Sequence, residues 1–243
     1  MKQILSRISV FSLLFVLFWA FLLAILIPMG YEGSFLWLNG VRTSWLDTLM
    51  PHLTHLGDGI LLGSIAGIFL ARKHSDKVIS MITSLILVSL VIALLKNQFF
   101  SAWGRPLSVF EDGPDFFFIG LKELRNNSFP SGHSAAIGIL CVWLAWIGAE
   151  KRWQQIFWAV VGIAVCYSRV YIGVHFPADI MVGSMLAVVV FVITLLWIYP
   201  AVSKWYHNQS SSAQQRTDLI VLILMVILLL GDIWRLYSTF YQA

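Results

Sequence analysis

Charge is scarce in this sequence. Sixteen Lys and Arg and twelve Asp and Glu make up 12% of the 243 residues, about half the share of an average soluble domain. With 59% hydrophobic residues and a mean hydropathy of +0.82, a water-soluble globule of this size is excluded, because its surface would have to expose the apolar excess. Cysteine is nearly absent. Cys141 and Cys166 both lie in apolar runs, which excludes a disulfide framework or a zinc site and reads as two buried free thiols. Linkers rich in Pro or Gly/Ser are missing, as is any repeat period, so residues 1–243 read as one domain. The basic excess, net +4 with a pI of about 9.2, is scattered singly and forms no stripe, which argues against a nucleic-acid partner. No obligate protein partner is evident.

What the chain has is apolar runs, each near the ~20 residues that cross a bilayer. They span Ile8–Ile27, Leu53–Ala71, Val78–Leu95, Gly132–Ala149, Gln155–Tyr171, Asp179–Tyr199 and Leu219–Trp234. The expected fold is an all-α polytopic membrane bundle of six core transmembrane helices plus a seventh. Lys2 and Arg7 precede the first run, which is too long for a signal peptide and lacks a small-x-small cleavage site, so it counts as a retained span. Asn208–Ala213 reads as an aqueous loop. With the N-terminus inside, Lys2, Arg7, Arg72, Lys73, Lys77, Lys151, Arg152, Lys204 and Arg216 gather in the cytoplasm, as the positive-inside rule prefers. Gly59, Gly63 and Gly67 form a stripe suited to close helix packing within the chain. The loop from Asn97 to Phe129 carries seven aromatics from Phe99 to Phe118, either an interfacial belt or a rim that admits a lipid tail sideways. The isolated His52, His55, His74 and His207 read as structural.

Three polar segments stand out from this background: Lys96 with Arg105-Pro106, then Pro130-Ser131-Gly132-His133, then Ser168-Arg169 with His175 and Asp179. All fall at helix ends on the outer side. Ionisable groups at membrane depth are costly and mark function. Arg side chains grip phosphate oxygens as a fork, and the free N–H groups of a helix opening at Ser131-Gly132 favour an anion. His175 and Asp179 are one helical turn apart, with Pro177 suited to the first turn. A carboxylate on one imidazole nitrogen leaves the other lone pair free to attack. Glu111, Asp112 and Asp115 offer no ligand set for Mg²⁺ or Zn²⁺.

These segments resemble the signature of the type-2 phosphatidic acid phosphatase superfamily: Lys-x6-Arg-Pro, PSGH, and Ser-Arg-x5-His-x3-Asp. The second and third stand intact as PSGH at 130–133 and SRVYIGVHFPAD at 168–179. Together with WLNGVRTSWLDTLMPHLTHLGDG they carry the resemblance over about residues 35–200, leaving the last span, about 219–234, outside. The resemblance implies that His175 is the nucleophile, Asp179 orients it and His133 protonates the leaving oxygen. Lys96, Arg105, Ser131, Gly132 and Arg169 would bind phosphate, with no metal and no cofactor. Lys96 departs from the pattern, preceding Arg105 by nine positions instead of seven. Either the segment bulges by two residues, or Lys122 or Arg125 substitutes.

The implied activity is hydrolysis of a lipid phosphate or diphosphate through a phosphohistidine, in a bacterial inner membrane with the site on the periplasmic face. Undecaprenyl diphosphate is the favoured substrate, ahead of phosphatidylglycerophosphate, phosphatidate and lipid A phosphate. The partners would be the lipid substrate and the bilayer. Phosphotransfer to a second lipid and non-catalytic lipid-phosphate transport are the competing functions.

Overall fold

The computed structural model describes residues 7–119 and 123–241, so Lys2 and Lys122 lie outside it. All regular elements among the described residues are helical: α1 (Ser9–Asn39), α2 (Ser44–Leu53), α3 (Ile60–Leu94), α4 (Pro106–Val109), α5 (Gly132–Ile147), α6 (Arg152–Tyr171), α7 (Pro177–Ile193), α8 (Tyr199–His207) and α9 (Ser211–Tyr241). A 3₁₀ turn covers Thr54–Asp58, and π turns cover Leu95–Phe99 and Thr194–Ile198. Four stretches, Ser9–Asn39, Ile60–Phe99, Pro177–His207 and Ser211–Ser238, are long and apolar enough to cross a membrane, and Gly132–Ile147 is a shorter apolar helix.

Helix α3 has 35 residues, which would extend about 52 Å if straight, far beyond a hydrocarbon core of about 30 Å. The backbone resolves this at His74, where it leaves helical geometry (φ −148°, ψ 42°). The two arms then fold back on each other. A Cβ on Gly67 would meet Val78 Cγ1 at 3.5 Å, and one on Gly63 would meet Leu85 Cδ1 at 3.6 Å. The same stripe faces Leu140 of α5 and Met225 of α9, so its small residues serve packing within the chain.

Apolar on all sides, α5 is enclosed by its neighbours. Ile137, Ile139, Leu140 and Trp143 are fully buried, and a Cβ on Gly138 would come within 2.7 Å of the Ala187 Cβ on α7. Indole donors tie the bundle where no water can. Trp143 Nε1 donates to Ser84 Oγ at 2.9 Å, and Trp19 Nε1 donates to Ser184 Oγ at 2.9 Å, the interhelical bonding expected of membrane helices.

Several expected boundaries are corrected. The first run does not stop at Ile27: the helix passes Pro28, turns at Gly30 (φ 69°, ψ −173°) and continues to Asn39, the positive φ being one that glycine adopts without steric cost. Leu53 ends a separate helix, and the next begins at Ile60. The polar segment Asn208–Ala213 is loop only over residues 208–210. Helix α9 takes up Ser211 because Tyr206 and Asp218 bond across the junction at 2.8 Å. The aromatic loop divides in two: Phe110 and Phe116 pack with Phe35 behind the third motif, whereas Phe99 and Phe117 are exposed.

Candidate active site

Helix capping assembles the centre. Ser131 is the N-cap of α5 and accepts from the Ser134 backbone N–H, satisfying one of the donors that every helix start leaves open. Pro177 opens α7, where its missing N–H costs nothing. Asp179, two residues on, accepts from the Phe176 N–H at 3.0 Å. The two helix starts are joined directly, since the Ser131 N–H donates to the Asp179 carbonyl at 3.0 Å. Gly183 permits this approach: a Cβ there would run into the Ser131 carbonyl oxygen. Substituting Gly183→Val should therefore displace the PSGH turn, at about 1–3 kcal/mol for overpacking. A thermal melt in detergent should fall by several degrees together with activity; an unchanged melt and rate would refute this account.

His175 lies in the short turn between α6 and α7, its backbone N–H and that of Val174 both bonded to the Arg169 carbonyl. The imidazole is 1% exposed. Nδ1 is 3.0 Å from Asp179 Oδ2, and since that carboxylate is also an acceptor for Ser128 Oγ at 2.5 Å and Tyr31 Oη at 2.6 Å, the network assigns the proton to Nδ1. Nε2 is then an acceptor, and Arg105 Nη1 faces it at 3.3 Å. Burial, reinforced by Arg105, Arg169 and Lys96, holds His175 well below the ordinary histidine range, so the ring is neutral near pH 7.

The cations converge on the same point. Arg105 is held by three carbonyls, donating to Asn126, Asn127 and Val174; burial draws its pKa down and Asp179 opposes that. Buried Arg169 donates to Thr54 Oγ1 at 2.6 Å, leaving its Nε without a partner. Lys96 also reaches the cluster. It sits in the π turn Leu95–Phe99, and Nζ donates to the Asn127 carbonyl at 2.6 Å. Arg125 instead pairs at the surface with Glu111 at 2.9 Å.

His133, on the first turn of α5, faces a cleft of about 420 Å³ together with Lys96, Gly132 and Asp58. It lies close enough to Arg105 and Arg169 to feel their charge. Its Nε2 contacts Asp58 Oδ1 at 2.8 Å, and Asp58 Oδ2 is 2.6 Å from Arg235 of α9. Burial raises the Asp58 pKa, but the hydrogen bonds and charges of His133 and Arg235 bring it down to about 2. Sequence reasoning singled out none of Tyr31, Thr54, Asp58, Ser128 or Arg235. An acid beside a span, as Asp58 is, was the available signal.

The chain has counterparts among known proteins. Residues 77–203 match the model of the PAP2 superfamily. Phosphatidylglycerophosphatase B of Bacillus subtilis is 31% identical over 166 residues, 62% of this chain and 74% of that one. An undecaprenyl-diphosphatase of Sulfolobus acidocaldarius is 26% identical over 149 residues, 61% of this chain and 69% of that one. The crystal structure of Aquifex aeolicus LpxE superposes with a TM-score of 0.60 at 28% identity, covering 69% of this chain and 95% of that one.

Proposed function

This chain belongs to the PAP2 superfamily, and from that premise we propose that it is an integral membrane hydrolase of lipid phosphates or diphosphates working through a phosphohistidine. One observation carries the reading: a buried His175 with Asp179 on Nδ1 and a guanidinium 3.3 Å from Nε2. That arrangement suits a lone pair aimed where a phosphorus atom would be held by Arg105. The Nε2 pair forms a bond to phosphorus as the bond to the leaving oxygen breaks, and His133 gives that oxygen its proton. Water then cleaves the N–P bond, its proton passing to His133. Lys96, Arg105, Arg169 and the first-turn N–H groups at Ser131 and Gly132 balance charge on the other oxygens. The steps use no metal.

The lipid tail has a place to lie. A second cleft of about 510 Å³, lined among others by Gly63, Met81, Leu85, Ala136, Met225 and Leu228, meets the His133 cleft at Asp58, Ser89, Ala93 and Ala136. Its lips Ile60, Ile86 and Leu90 are exposed, facing acyl chains in a bilayer. We count the arms on either side of His74 as separate crossings, which with α1, α5, α6 and α7 gives six core spans and α9 as a seventh. Arg72, Lys73, Lys77, Lys151, Arg152 and Lys204 lie at the end remote from the site, which supports a periplasmic site in an inner membrane.

Phosphate release by the purified protein should be measured across pH from undecaprenyl diphosphate, phosphatidylglycerophosphate, phosphatidate and lipid A. Free phosphate is expected from at least one of them. Phosphate appearing only on a second lipid would mean transfer, and none at all would mean binding without chemistry. Because the His175 pKa is lowered, its lone pair persists as pH falls through the ordinary histidine value of about 6.5. The acid limb of kcat/KM should lie clearly below that value; a limb at 6.5 or above would contradict the assignment.

A further inference from the structure

The C-terminal helix α9 lies outside the residues that match the family, yet its far end reaches the catalytic centre. Arg235 contacts Asp232 on its own helix and Asp58 across the cleft, each at 2.6 Å, and Asp58 in turn contacts His133 Nε2 at 2.8 Å. We propose that Asp58, pinned by Arg235 of α9, is the positioning residue that orients the general acid His133 and holds its proton, so that the seventh span is a working part of the active site.

The chemistry around His133 calls for such a group. Arg169 of α6, Arg105 and His175 all lie near enough to this imidazole to interact with it electrostatically, and Lys96 of the π turn after α3 shares its cleft. Every one of these is a cation or a neutral ring, and each cation disfavours the imidazolium that must exist before the leaving oxygen is protonated. Asp58 is the anion in contact with it. With the carboxylate on Nε2, the proton to be donated sits on Nδ1. As that N–H bond breaks, the proton moves to the leaving oxygen and the ring is left neutral, still bonded through Nε2–H to Asp58. Asp58 is the last residue of a short 3₁₀ segment that ends at Gly59 with φ 78°. Arg235 holds its second oxygen from the opposite side, and Asp232, buried beside it, holds the guanidinium.

This inference rests on the phosphatase reading, and opposite charge effects separate the two. The assay compares wild type, D58N, R235M, R235K and the D58N/R235M double variant for phosphate release across pH, beside NMR titration of the His133 ring in detergent. D58N removes an anion, so the His133 titration and the basic limb of kcat/KM should move down by about one pH unit, with kcat reduced roughly a hundredfold. R235M removes a cation, so neither should move down, while kcat falls about tenfold as the carboxylate loses its orientation; R235K should restore most of it. The double variant should be no slower than D58N, because both act through one contact. Active wild type with D58N unshifted, with R235M at wild-type rate, or with additive losses would overturn this proposal alone. Wild type that releases no phosphate would overturn the phosphatase reading instead, and the ring titration would still report whether Asp58 and Arg235 govern His133.

Discussion

Replacing His175 with alanine should lower phosphate release by at least ~10³-fold, the scale of losing a nucleophile, while leaving the protein folded. The side chain is buried but small, and its two polar contacts, Asp179 on Nδ1 and Arg105 on Nε2, both have other partners: Asp179 keeps Ser128, Tyr31 and the Phe176 N–H, and Arg105 keeps its carbonyls. Asp179→Asn should cost on the order of 10²-fold or more by permitting the wrong tautomer. Rapid quenching of wild type with radiolabelled lipid phosphate should trap label on the protein that survives base and is lost in acid, as a phosphoramidate is. The label should be absent in His175→Ala and persist longer in His133→Ala than in wild type. A variant lacking His175 that still turns over within tenfold of wild type would leave the proposed chemistry without its nucleophile.

The second large effect concerns the tail cleft. Ala136 stands where the two clefts meet, on the face of α5 opposite Gly59; a Cβ on that glycine would be 3.1 Å from the Ala136 Cβ. An indole at position 136 would fill the junction and exclude the first methylenes of a lipid tail. Each methylene denied burial is worth about 0.8 kcal/mol, so excluding about four reduces kcat/KM for a long-chain substrate roughly two-hundredfold. A water-soluble phosphate monoester places nothing in that cleft, and its hydrolysis by Ala136→Trp should stay within about twofold of wild type. Equal losses on both substrates would mean that the indole disturbs His133 itself, and no loss on either would mean that the tail lies elsewhere.

How much of this was legible in the chain depends on which residues carry it. The PSGH turn and the His175/Asp179 pair were readable because capping and one-turn spacing are local rules, and the structure places these residues as those rules require. The fold-back of α3 was readable as two runs separated by Arg72, Lys73 and Lys77. The π turn at Leu95–Phe99 was not, because nothing in LKNQF distinguishes π from α geometry, and the carbonyl that Lys96 meets lies 31 residues later. Tyr31 and Ser128 stayed hidden since an aromatic at a span end and a serine before a proline have many ordinary uses. Asp232 and Arg235 are single charged residues at the end of a hydrophobic run. Their roles depend on where α9 docks, a tertiary fact without a local signal.

The guanidinium beside His175 also bears on how readily that ring can be modified. With Arg105 Nη1 3.3 Å from Nε2 and the ring 1% exposed, that nitrogen is screened from reagents in solvent. Acylating reagents aimed at imidazoles should modify His133, whose side chain is 34% exposed, before His175, and inorganic phosphate or vanadate held beside Nε2 should protect His175 further while blocking turnover.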